Sequence, residues 1–200
     1  MAILESLNQT LFLMINATPD SAPISIKLAT FIARDVMRLL PALLVVLWLW
    51  GRAELRDTIL KSLLLTAVAL IGNWAIGLIW PHPRPFAVPI GYTFLAHDPT
   101  PSFPSNHGSI FAMMALCWCF SAARGWGWVM AVSGLAVAWS RVYLGVHFPL
   151  DMLGALLVSI AWCAALSPLW ARKGAALTGA LESLYRQLLA KPIAAGLIRR

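Results

Sequence analysis

Residues 59–80 read ILKSLLLTAVALIGNWAIGLIW, an apolar stretch with Lys61 as its one charge, and it is long enough to cross a bilayer. A spanning helix needs about 20 mostly apolar residues. Residues 150–170 form a second such stretch. Residues 107–122 and 126–143 are shorter and read as a helical hairpin, and 35–51 makes a fifth span that contains Pro41. Composition agrees: 60% of the 200 residues are apolar and only 12% charged, with a mean hydropathy of +0.77. An ordinary soluble domain is about 25% charged. The expectation is an all-α integral membrane bundle of about five to six spans, forming one domain over 1–200.

The first 33 residues are divided by the turn-rich ATPDSAP at 17–23. Each piece is too short to span, so they read as short helices at the interface or packed on the bundle; a sixth span results if 16–33 inserts. The opening has no basic run and no small-residue cleavage site, so no signal peptide is expected. Residues 171–200 read as a basic cytoplasmic tail with an amphipathic helix over 175–190, marked by Leu177, Leu181, Leu184, Tyr185 and Leu188.

The net charge of +7 has no basic stripe with interleaved aromatics, so nucleic acid is not an expected partner. Basic residues instead collect in alternate connections: Arg52, Arg56 and Lys61 in one, Arg124 in another, and six in the tail. The connections at 81–106 and 144–149 hold only Arg84. The positive-inside rule places the first group in the cytoplasm and the second outside. The cysteines Cys117, Cys119 and Cys163 lie in apolar runs and read as small hydrophobes rather than a metal site.

On the outward side the chemistry-bearing residues gather. HPRPF supplies His82 and Arg84; FPSNHGS supplies Ser105, Asn106 and His107; SRVYLGVHFPLD supplies Arg141, His147 and Asp151. Ser105, after a proline and before an apolar helix, is a natural N-cap, and the amides behind it can hold an anion. Arg84, stiffened between prolines, suits bidentate phosphate binding. Asp151, four residues after His147, can accept the Nδ1 proton of the ring and leave Nε2 free to attack. Together these residues point to phosphoryl transfer through a histidine. His147 is the nucleophile, Asp151 its support and His107 the general acid. Arg84, Arg141, Ser105 and Asn106 bind phosphate. Arginine supplies the positive charge, so no metal and no cofactor is expected. Asp35, with Arg34 and Arg38, either borders the site or forms a local ion pair.

At these residues the chain resembles the type 2 phosphatidic acid phosphatase superfamily, whose pattern is Lys-x6-Arg-Pro, Pro-Ser-Gly-His and Ser-Arg-x5-His-x3-Asp. The third motif is complete as Ser140, Arg141, His147 and Asp151; the second is Pro104-Ser105-Asn106-His107. The first keeps Arg84-Pro85 but has Gly77 at the lysine position, with His82 as a partial replacement. Over almost the whole chain the sequence is similar to the bacitracin-resistance type of undecaprenyl pyrophosphate phosphatase. The resemblance implies hydrolysis of a lipid diphosphate at the periplasmic face of a bacterial inner membrane, with recycling of the wall-polymer carrier lipid. The same chemistry also fits a phosphatase or phosphotransferase acting on lipid A, phosphatidylglycerol phosphate or phosphatidic acid.

Overall fold

The computed structural model describes residues 2–199; their regular structure is helical, with no strand among them. The helices are α1 (Ala2–Ile15), α2 (Pro23–Phe31), α3 (Met37–Trp50), α4 (Ala53–Ile79), α5 (Asn106–Cys119), α6 (Arg124–Tyr143), α7 (Pro149–Leu188) and α8 (Ala190–Ala194). A π turn, Ile32–Val36, joins α2 to α3, so the chain is helical without a break from Pro23 to Trp50. This corrects the expectation that 24–33 is a short separate helix. Pro23 starts α2 at a position where its missing N–H costs nothing. Nothing between Phe31 and Met37 stops the helix, and Ala29 and Ala33 bury fully against Leu144.

The bundle is built around α5. Its buried side chains Phe111, Met113, Met114, Cys117 and Trp118 pack with Leu40, Leu44 and Leu47 of α3, Ile59, Leu65 and Ala69 of α4, and Met130 and Val137 of α6. Trp118 finds a partner for its indole N–H in Ser62 Oγ at 2.9 Å, as a buried Trp needs. The surrounding helices turn large apolar side chains outward, among them Ile71, Trp74 and Leu78 of α4 and Val132 and Leu135 of α6. An apolar surface this extensive belongs in lipid. The helices α4 and α7 are each long and apolar enough to cross a membrane, and only 33% and 17% of their apolar stretches are covered by protein.

The expected tail helix is present and continues the preceding helix. Helix α7 runs through Pro168 to Leu188, so the helix expected at 175–190 is the far end of a span. Its packed face is Gly174, Thr178, Glu182 and Tyr185, while Leu177, Leu184 and Leu188 stay exposed. The first turns of α4 provide the partner. Asp57 accepts from Trp170 Nε1 at 3.1 Å and Thr178 Oγ1 at 2.7 Å. Arg56, buried, lies 3.5 Å from Glu182, sits over the Tyr185 ring and donates to the carbonyls of Trp48 and Arg199.

At the opposite end Asn16 ties three segments together. Its Nδ2 donates to the carbonyls of Tyr92 and Tyr143, and its Oδ1 accepts from Tyr92 N. This fixes α1 and the 80–105 connection against the end of α6, and so sets the roof of the site.

Candidate active site

Four segments converge at this end: the 80–105 connection, the first turn of α5, the last turn of α6 and the short link into α7. Ser105 caps α5, its Oγ accepting from Gly108 N at 3.3 Å. The link into α7 turns sharply at Gly145, whose φ of +80° lies in the left-handed region. A Cβ there would press on the backbone of Tyr92 and Thr93, so glycine is also what lets the 80–105 connection lie against this turn. The turn aims His147 inward, and Asp151 follows on the first turn of α7.

His147 is buried, as are Arg84, Ser102, Ser105, Arg141 and Asp151. Its Nδ1 lies 3.1 Å from Asp151 Oδ2. Its Nε2 lies 3.0 Å from Arg84 Nη1 and 3.5 Å from Ser105 Oγ. A guanidinium only donates, so Nε2 must be the bare, accepting nitrogen and Nδ1 must carry the proton to the carboxylate. Asp151 Oδ2 also accepts from Phe148 N at 2.8 Å and from Ser102 Oγ, while its buried Oδ1 has no partner. Burial pushes His147 down to about 4 against the opposing pull of Asp151, so the ring is neutral near pH 7.

Arg84 is clamped. Its Nε donates to Thr100 O at 2.8 Å, Nη1 to Val146 O at 2.9 Å, and Nη2 to Thr100 Oγ1 and Pro101 O at 3.2 and 3.3 Å. Arg141 Nη2 contacts His107 Nε2, and its buried Nε has no partner. Asn106 Oδ1 accepts from Asn73 Nδ2 at 3.0 Å, which also donates to Ser109 Oγ.

A cavity of about 440 Å³ opens over this cluster, lined among others by Asn73, Gly77, Arg84, Asn106, His107 and His147. The structure thus gathers His147, Asp151, His107, Arg84, Ser105, Asn106 and Arg141 within one end of the bundle. It leaves two expected residues outside. His82 turns toward α1, with Nε2 3.3 Å from Glu5 Oε2 and its ring edge on Phe148, and it does not line the cavity. It therefore does not stand in for the lysine absent at Gly77. Asp35 faces solvent and pairs with Arg38 at 3.4 Å, the local ion pair that the sequence left open.

Sequence reasoning missed Ser102, Thr100, Asn73 and His97. A lone amide in an apolar span is a usable signal for Asn73, since polar groups inside a membrane are costly. His97 lies edge-on to His147 with ring centroids 6.1 Å apart. Ser102 carries no local signal.

The PAP2 superfamily model matches residues 58–175. The chain is 47% identical over 201 residues to "Putative undecaprenyl-diphosphatase YbjG" of Escherichia coli (strain K12), covering 98% of this chain and 100% of that protein. It is 28% identical over 154 residues to Undecaprenyl-diphosphatase BcrC of Bacillus subtilis (strain 168), covering 77% of this chain and 79% of that one. Among solved structures, Aquifex aeolicus LpxE superposes with a TM-score of 0.62 at 24% identity, covering 78% of this chain and 92% of that chain. The first transmembrane PAP2 type phosphatidylglycerolphosphate phosphatase from Bacillus subtilis superposes with a TM-score of 0.60 at 20% identity, covering 84% and 87%. The protein belongs to the PAP2 superfamily. Its helical bundle is the fold of the two solved structures it superposes on.

Proposed function

We propose that this protein hydrolyses undecaprenyl diphosphate to undecaprenyl phosphate and inorganic phosphate through a phosphohistidine. The observation that carries the reading is the line Asp151–His147–Arg84. A carboxylate fixes one ring nitrogen while a clamped guanidinium touches the other, where a phosphoryl oxygen could take over the contact. The full-length likeness to the diphosphatase-named relative from Escherichia coli supports the substrate class.

In the first step Nε2 of His147 attacks the terminal phosphorus. An N–P bond forms and the bridging P–O bond breaks; His107, which burial and Arg141 push down to about 3 before substrate arrives, gains a proton as the diphosphate brings negative charge beside it and passes it to the leaving lipid phosphate. Arg84, Arg141, Ser105, Asn106 and the first amides of α5 hold the equatorial oxygens and the developing charge. Asp151 balances the imidazolium. In the second step water, its proton taken by His107, attacks the phosphohistidine, releasing phosphate and restoring the ring.

The bilayer placement follows from charge. Basic connections belong in the cytoplasm, which puts the site at the periplasmic face of a bacterial inner membrane in a bundle of five to six spans. One domain carries the activity, and the polyprenyl chain stays among the lipids. Recycling of the carrier lipid and resistance to bacitracin, which sequesters the same diphosphate, follow from this placement.

The test is purified protein in detergent with undecaprenyl diphosphate labelled in the terminal phosphate. Phosphate release, together with an acid-labile, base-stable label on the wild type and none on His147→Ala, is the expected result. Turnover by His147→Ala, or no label under rapid quench, would overturn it.

A further inference from the structure

A second cavity, of about 570 Å³, shares lining residues with the first but is not lined by His147. His97 and His107 line both cavities, and Arg34, Arg38 and Arg141 line only the second. No acidic side chain lines it. Arg34 has no ion-pair partner among the described residues, and Arg38 has only the solvent-exposed Asp35. Arg141 is buried and its Nε is unsatisfied. Three guanidinium groups line one space and only Arg38 has a carboxylate beside it, so the cluster carries excess positive charge that an anion would neutralise. Arg34 and Arg38, four residues apart, share one helix face, and the unbroken helix from Pro23 to Trp50 holds that face against the site.

The position of the cluster says which anion. An in-line displacement at the terminal phosphorus sends the leaving oxygen away from His147 Nε2, toward His107. His107 also lines the second cavity. When a lipid diphosphate reacts, the leaving group is itself a phosphate monoester and carries negative charge. When a lipid monophosphate reacts, the leaving group is a neutral alcohol once protonated. Resting on the function proposed above, we infer that Arg34 and Arg38 form the subsite for the lipid-linked phosphate and make the enzyme selective for diphosphates over monophosphates.

The test compares wild type, the double variant Arg34→Gln/Arg38→Gln and the double variant Arg34→Lys/Arg38→Lys. Each is assayed in neutral detergent micelles on a polyprenyl diphosphate and on the monophosphate of the same chain length. The ratio of the two kcat/KM values is read on one preparation, so it is insensitive to the fraction folded. The glutamine variant is expected to lower the diphosphate-to-monophosphate ratio by about tenfold or more, as loss of charge-assisted contacts to a phosphate requires, and the lysine variant to recover most of it. An unchanged ratio overturns the inference while the proposed activity stands. An effect seen only in vesicles of anionic lipid also overturns it, because the arginines would then hold membrane headgroups rather than substrate. Absence of diphosphate turnover by the wild type overturns both.

Discussion

Arg84 and His147, 63 residues apart in sequence, meet through Nη1 and Nε2 at 3.0 Å. In the proposed reaction Arg84 is a phosphate ligand, and this contact also orients the ring before substrate arrives. Its fork reaches Thr100, Pro101, Val146 and His147 at once, a pattern a lysine cannot copy. Arg84→Lys is therefore expected to lower kcat/KM by about a hundredfold or more, comparable to loss of a transition-state donor. Steady-state phosphate release measures it, and a loss below about threefold would contradict the clamp.

Ser102 is a positioning residue. It donates to the same Asp151 oxygen that holds His147 and lies 3.3 Å from the ring's Nδ1. Ser102→Ala leaves the charge in place and frees the carboxylate to drift. The expected result is a fall in kcat of about tenfold with KM nearly constant, and a stability loss of about 1–2 kcal/mol. A change in KM alone would argue against this role.

Acid should weaken the fold through His147. Its ring titrates at about 4 when folded, against the ordinary value of 6.5. Between those values the unfolded chain binds a proton that the folded chain refuses, so stability rises with pH across the window and is lost as pH falls through it. Thermal unfolding in detergent from pH 7 to pH 4 should show this slope, reduced in His147→Asn. The acid limb of kcat/KM should likewise fall near pH 4 rather than 6.5.

At Gly77 the sequence suggests a missing positive charge. The structure gives a different expectation for restoring it. A Cβ at this position would stand 3.2 Å from Pro101 Cβ, and Pro101 O accepts from Arg84. Gly77→Lys would move Pro101 and loosen the clamp, so its kcat/KM on the lipid diphosphate should fall rather than rise. An increase would show that the missing charge, not the clamp, limits the reaction.

The buried Arg56–Glu182 pair lies at the opposite end of α4 and fastens the far half of α7. Removing Arg56 leaves Glu182 with only the half-exposed Arg186, 3.8 Å away, and unpairs the Trp48 and Arg199 carbonyls that the guanidinium held. Arg56→Ala is expected to cost about 3–5 kcal/mol and to open residues after Trp170 to proteolysis. Turnover per folded molecule should persist, which separates this contact from the site.

The amino-acid sequence by itself determined the features that depend on neighbours within a turn or two. These are the apolar stretches of spanning length, the Ser105 cap, and the four-residue step that sets Asp151 beneath His147. Helix periodicity and capping are short-range, so residue type and spacing suffice to read them. Only the tertiary structure decided which partners the connection at 80–105 brings down onto α5 and α7. It put Ser102 behind Asp151, closed Arg84 on the ring, drew His82 away to Glu5, and gave the end of α7 the Asp57 and Arg56 contacts that carry it past Pro168. Those contacts join segments tens of residues apart, and their geometry is set by how the helices pack rather than by any local pattern.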